Sequence, residues 1–306
     1  MAITLIENFR AVFYAPFYAT AALGAYEAEQ LDVTMKTSAA AEKTLTTLAT
    51  GAGEVSWGGP LRIMAALDKA PKGGYVAFCE VVGRDPFFLL GSKPNPAFQL
   101  KDLVGKKLAT VSEVPTPWIC LQYDLRRAGL DPSAIERSPE RGMAENAAAL
   151  RAGEVDVIQV FHPYARDLVD AGVGHPWYAA ATRGMTSYTT FNTTRSYIEK
   201  NPDAVLRMTR AMYRTLKWIA AHDGRDLAEA IARYLPDIPP PALAACFNEY
   251  RALGLWNRNP IMQRDGFVWL RDAMRSAGYI RTPFSYEDCA DMRFAEQVVR
   301  ENPPSI

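Results

Sequence analysis

The segment LRAGEVDVIQVFHP, residues 150–163, decides how this chain folds. Residues 143–152 carry a helical pattern, and the run from Val155 to Phe161 after them is almost continuously apolar. A strand covered by helices on both faces reads that way, whereas a half-exposed strand alternates. His162-Pro163 then opens another helix. Helix, doubly covered strand, helix is the repeating unit of an α/β sheet.

The same grammar recurs upstream. Residues 107–111 predict a strand, 112–116 a loop, and 117–128 a helix with Trp118, Leu121 and Leu125 on one stripe and Gly129 as its cap. Earlier still, 3–9 predict a strand and 16–30 a helix with proline in its first turn. An alternating strand at 32–37, a helix at 42–50 and a short strand at 54–57 follow. Gly58-Gly59-Pro60 turns into a helix carrying Ile63, Met64 and Leu67, and 75–82 and 87–90 predict central strands. The segment GSKPNP at 91–96 reads as a linker. Downstream, 188–194 is extended and the remainder is helical. Asn201-Pro202-Asp203 caps a helix whose buried stripe is Val205, Thr209, Met212, Leu216 and Ile219. Further helices are expected at 227–234, 242–253 and 265–277, with Gly278 ending the last. His175 is expected in a loop.

The expected fold is therefore α/β, with two lobes, each a mostly parallel sheet flanked by helices, and a helical C-terminal region. Residues 1–91 and 189–306 form lobe I and 92–188 lobe II, with a hinge near 90–94 and 187–192. A double crossover of this kind leaves a cleft between the lobes, where ligands collect at the carboxyl ends of strands.

Composition narrows the function. The chain has 306 residues, 49% of them apolar, enough for a sizeable core. Lys and Arg total 34, as do Asp and Glu, so the net charge is zero. That balance argues against a general nucleic-acid binder, which needs excess positive charge, and against a polybasic membrane-surface protein. No stretch of membrane-helix length is free of charged or breaking residues, so no membrane insertion is expected. MAITLIENFR has no basic region ahead of an apolar run and does not read as a secretory leader. Cys79, Cys120, Cys246 and Cys289 lie far apart, which suits free thiols or small core residues better than a zinc or redox site. Neither a metal nor a cofactor is expected. The elbow G-x-S-x-G, H-E-x-x-H and the P-loop are absent, and Gly51-x-Gly53 lacks the third glycine of a dinucleotide fingerprint.

Four clusters at strand ends remain as candidate ligand contacts. Around Asn8, Arg10, Phe13 and Tyr14, an arginine can hold a carboxylate, sulfonate or phosphate between flat aromatic walls. Equally, Arg10 is a solvated loop residue and the aromatics are core. In Ser56, Trp57 and Gly58, ahead of a helix start, backbone N–H groups can bind an anion and Trp57 can stack on a planar ligand. The plain alternative is a tight turn with Trp57 in the core. Ser112, Glu113 and Thr116 offer hydroxyls and a carboxylate that accepts from an amino group, or else Glu113 neutralises a helix dipole. Phe161 and His162 can contact a ligand across the cleft, or His162 simply caps a helix. Tyr188 sits where the chain returns, as hinge or contact. The Met and aromatic stripe from Met208 to Trp218 is read as core rather than as a cofactor box.

Several stretches, in this order, resemble one family. GAYEAEQLDV (24–33), LATGAGEVSWGGP (48–60), LKDLVGKKLATV (100–111), LRAGEVDVIQVFHP (150–163) and SYIEKNPDAVLRMTRAMYRTLKW (196–218) are similar to the conserved segments of type-2 periplasmic binding proteins. The likeness is to the branch serving nitrate, sulfonate, taurine and thiamine-pyrimidine uptake. The family's usual Asp in the second segment is replaced by Val55 or Ser56, with Glu54 nearby. The resemblance implies a two-lobed substrate-binding protein of an ABC transporter, with a membrane permease as partner and a periplasmic location. A cytoplasmic location follows instead if Met1 is the native start. On this basis the expected ligand is a small planar polar molecule, either a thiamine-precursor pyrimidine or an aromatic carboxylate or sulfonate. Two alternatives stand beside it: an enzyme on the same fold, acting on an aromatic or pyrimidine substrate as a desulfinase or pyrimidine synthase does, and a cytoplasmic ligand sensor. No cysteine-rich synthase motif is present, and the earliest cysteine, Cys79, comes later than the desulfinase pattern requires.

Overall fold

Ten strands build two sheets in a computed structural model that describes residues 2–306, the side chain of Ala41 excepted. In chain order they are β1 (Ala2–Glu7), β2 (Asp32–Thr37), β3 (Val55–Gly58), β4 (Tyr75–Val82), β5 (Phe88–Gly91), β6 (Lys107–Ala109), β7 (Glu136–Arg137), β8 (Val157–Val160), β9 (His175–Ala179) and β10 (Thr189–Thr194). The first sheet runs β2-β1-β3-β10-β4 and the second β7-β6-β8-β5-β9. Both follow one plan. Four strands run parallel, and one antiparallel strand is inserted beside the fourth.

The inserted strands are the two crossovers. β10 returns from the second unit into the first sheet, pairing Thr190 with Gly58 and Thr189 with Val82. β5 arrives from the first unit and pairs Phe88 with Val160. Each therefore starts at the edge where its parallel neighbours end. The segments 83–87 and 180–188 join those two edges, and the carboxyl ends of the strands face one another across the junction. β8 is buried at all four positions, as its unbroken apolar run requires. Trp57 on β3 is fully buried and stacks on Phe17, with ring centroids 4.8 Å apart.

Several elements depart from the sequence reading. β5 belongs to the second sheet, so the strand placed with residues 1–91 pairs across the divide, because short apolar strands carry no label for the sheet they join. The helix expected over 16–30 is two, Ala15–Ala22 and Ala25–Ala28, since Gly24 takes φ +71 between them. His175 lies on β9, paired with Gly91. Gly278 ends helix Arg264–Ser276 with φ +68, as expected, but two further helices, Tyr286–Cys289 and Arg293–Glu301, follow it. All four cysteines are buried free thiols.

The C-terminal helices do more than cover the first sheet. Pro202–Ala221 packs on β4 and on helices Ala15–Ala22 and Arg293–Glu301. Pro240–Ala252 and Arg264–Ser276 reach the second lobe. The Tyr250 hydroxyl accepts from the His162 backbone N–H at 3.1 Å and lies 3.3 Å from the Pro86 carbonyl. Trp269 meets Tyr123 edge-on at 5.3 Å. Among the described residues no helix is long and apolar enough to cross a membrane.

Candidate functional site

A cleft of about 640 Å3 opens between the lobes. Its first-lobe wall is Phe9 to Val12, the segment leaving β1, together with Glu42. Its second-lobe wall is Ser112 and Glu113 beyond β6, Met143, and Phe161, Pro163 and Tyr164 beyond β8. Tyr234 to Ile238 close one side. Behind Phe9 lies a second, nearly collapsed chamber of about 20 Å3, bounded by Asn8, Phe13, Tyr14, Gly59, Arg62, Thr116 and Tyr188 among others. That volume holds about one water. Phe9 lines both spaces and stacks on Phe161 at 6.3 Å from the opposite lobe.

In the outer cleft Arg10 is already engaged. Its Nε lies 2.8 Å from Glu7, its Nη1 donates to the Tyr234 carbonyl at 2.7 Å, and its guanidinium lies over the Tyr18 ring at 5.1 Å. Glu7 is itself buried and accepts from Tyr18 and Thr37 at 2.6 and 2.7 Å. The arginine expected to clamp an anion is thus neutralised by a carboxylate three residues earlier. Glu113 accepts from the Met143 backbone N–H at 2.8 Å and so caps helix Met143–Arg151, the dipole role rather than the ligand role.

The inner chamber is different in charge. Arg62 enters it from the first turn of helix Pro60–Lys69, its stem packed beside Gly58. Among the described residues no carboxylate lies within ion-pair distance of Arg62, and its guanidinium makes no hydrogen bond. Burial pulls its pKa down, and the acidic groups around it, Tyr14, Tyr279, Glu42 and Tyr188, offset only part of this. Asn8 donates to the Tyr14 hydroxyl at 3.1 Å and accepts from Thr44 at 3.2 Å. Burial pushes Tyr14 up to about 12 and Tyr188 well above the usual tyrosine range, so both stay neutral donors. The Tyr188 hydroxyl has no partner among the described residues. A Cβ on Gly59 would sit 3.0 Å from the Tyr188 carbonyl, tighter than an ordinary contact, so glycine suits the close approach of the two chain segments flanking β3 and β10.

The structure thus brings Arg10, Ser112, Glu113 and Phe161 to the outer cleft, and Asn8, Phe13, Tyr14, Thr116 and Tyr188 to the chamber. Ser56, Trp57 and His162 lie elsewhere. Trp57 and Ser56 are interior residues of β3, because the strand runs on to Gly58 before it turns. Gly58 carries no side chain into the site, but its carbonyl receives Thr190 and Asn192. His162 turns away into a pocket of Phe88, Tyr250 and Glu249, its Nε2 3.1 Å from the carboxylate. Arg62 and the stretch Tyr234 to Ile238, with Glu42, Met143 and Tyr164, are among the contacts that sequence reasoning missed. The signals for the first two were a lone charge in the apolar turn PLRIM and a proline-rich break, YLPDIPPP, inside the helical region.

Along the crossovers sits a second set of buried charges. Arg183 binds Asp85 at 2.6 Å and also Asp124, joining both crossovers to helix Thr116–Arg127. Burial works against its charge, but the two carboxylates outweigh it and hold its pKa well above the usual value. Burial pushes Asp85 up despite Arg183. Glu80 on β4 is fully buried, accepts from Asn257 at 2.6 Å, and is pushed by burial up to about 7. No cluster able to hold a metal ion occurs among the described residues.

The NMT1/THI5-like family profile matches residues 12–225. A curated relative is the putative binding protein YtlA of Bacillus subtilis (strain 168), 24% identical over 98% of this chain and 90% of that protein. Among solved structures, the periplasmic aliphatic sulphonate binding protein SsuA from Escherichia coli superposes with a TM-score of 0.74 at 15% identity, covering 94% of this chain and 96% of that one. The desulfurization enzyme DSZB superposes with 0.70 at 13% identity, covering 99% of each. The fold of this chain is that two-lobed fold.

Proposed function

The chain belongs to the NMT1/THI5-like family, and from that premise we propose that it is the solute-binding component of an ABC-type import system. It takes a small planar polar organic molecule into the inter-lobe cleft and delivers it to a membrane permease, working in the periplasm. The observation that carries this reading is the cleft itself. Both lobes and the C-terminal region contribute to it, and its walls are mainly rings and apolar side chains, Phe9, Phe161, Tyr164, Tyr234 and Met143. Such a site buries a flat ligand and orients it with a few polar groups. YtlA and SsuA are binding proteins by name, and their likeness over nearly whole chains supports the same role.

Residues 83–87 and 180–188 are the hinge in this reading. Lobe closure about them excludes water and strengthens each polar contact, and a permease that recognises the closed form then reads occupancy. An enzyme using a cysteine nucleophile finds little support, because a nucleophile must ionise. Burial pushes Cys79 and Cys120 well above the usual thiol range, and Cys246 and Cys289 up to about 12.

Native mass spectrometry of the purified chain, followed by denaturing extraction, tests the proposal. A small molecule released stoichiometrically, and unchanged after prolonged incubation and rebinding, is the expected result. Recovery of a chemically altered molecule would make the protein an enzyme.

A further inference from the structure

The inner chamber poses a question the outer cleft does not: why a half-buried guanidinium should line it with no anion to meet it. Taking Arg62 out of water costs free energy that a partner must offset. Arg183 at the crossovers has such partners in Asp85 and Asp124. Around Arg62 the groups are instead donors or neutral: the Tyr14 and Tyr188 hydroxyls, the Asn8 amide and Thr116. Glu42 faces the outer cleft, beyond ion-pair distance. A planar fork of N–H donors with neutral hydroxyls beside it matches a carboxylate or sulfonate head. The chamber is collapsed to about 20 Å3, and the residue that divides it from the 640 Å3 cleft is Phe9.

We propose that Arg62 is the specificity-determining residue of an oxyanion subsite behind Phe9. The ligand's carboxylate or sulfonate displaces the Phe9 ring and enters the chamber, while its flat body stays in the outer cleft. This deepens the proposed function and rests on it. It selects acids over neutral pyrimidines.

Calorimetric titration of the full chain with benzenesulfonate, benzoate and neutral benzamide tests the subsite, alongside thermal melts in sodium sulfate at matched ionic strength. The unaltered protein should prefer an anion over benzamide by about tenfold or more, and sulfate should raise its melting temperature. Arg62→Met should lose anion affinity on the order of a hundredfold and lose the sulfate effect, while Arg62→Lys keeps part of both. Equal binding of benzamide, an anion preference that survives in Arg62→Met, or no response to any of the three anions would each overturn the subsite. If the purified protein still releases a neutral ligand, only the subsite has failed. If it releases none and binds no probe of any charge, the binding-protein reading has failed with it.

Discussion

Two arginines, one buried and one half-buried, divide this molecule. Arg183, at the crossovers, sits between two carboxylates; Arg62, in the chamber, faces hydroxyls and an amide. The same side chain has opposite thermodynamic meaning in the two places. A buried cation with its counter-charges in the chain is part of the fold, and deleting it strands the carboxylates. A half-buried cation without them is a cost to the chain, which an incoming anion relieves. The difference separates a hinge that must hold from a site that must wait.

The sharpest way to break the contrast is Arg183→Met. It leaves Asp85 and Asp124 buried and unmatched and should cost about 3–5 kcal/mol in urea unfolding. A variant as stable as the parent would show that the triad holds nothing together. Glu80, next to the crossovers and paired with no cation among the described residues, comes next. Its carboxyl titrates at about 7 in the folded chain against an ordinary value near 4.5. The folded state binds the proton more tightly, so stability is full below about 4.5 and falls as pH rises to about 7. Glu80→Gln keeps an acceptor for Asn257 and should flatten that decline, gaining about 3 kcal/mol at pH 8 and little at pH 4. Parallel melting curves for parent and variant at both pH values would refute it.

Smaller effects sharpen the other side. In the absence of added anions Arg62→Met should leave the chain as stable or raise its stability by about 1 kcal/mol, the opposite sign to Arg183→Met. A loss of several kcal/mol would mean that Arg62 has a partner within the chain. Arg10→Ala should cost about 1–3 kcal/mol, since it leaves the buried Glu7 carboxylate with only the Tyr18 and Thr37 hydroxyls, and it should disturb anion affinity far less than Arg62→Met. A larger loss of affinity there than at Arg62 would return the anion to the outer cleft.

Against these contrasts the legibility of the sequence can be judged. Strand tips were recognisable: Asn8, Ser112, Phe161 and Tyr188 all follow or precede apolar runs bounded by turn residues, and they do meet at the cleft and its inner chamber. Their partners were not. Nothing near Arg10 in the sequence says that Glu7, rather than a ligand, takes its charge. Trp57 looked like a stacking platform because it stands beside Gly58-Gly59-Pro60, yet β3 extends one residue past it and turns its ring into the core. The turn signal was right and its register was off by one side chain, which is enough to reverse a face.

What the sequence determined by itself is the order and kind of the elements. Periodicity, glycine and proline are local signals, and they separate strands from helices without reference to the rest of the chain. Only the tertiary structure decided that β5 and β10 exchange sheets, that the helices after 200 brace both lobes and line the cleft, and that Arg62 rather than Arg10 is the uncompensated charge. Those outcomes depend on which distant groups come within a few ångströms, and pairing across some two hundred residues leaves no trace in local pattern.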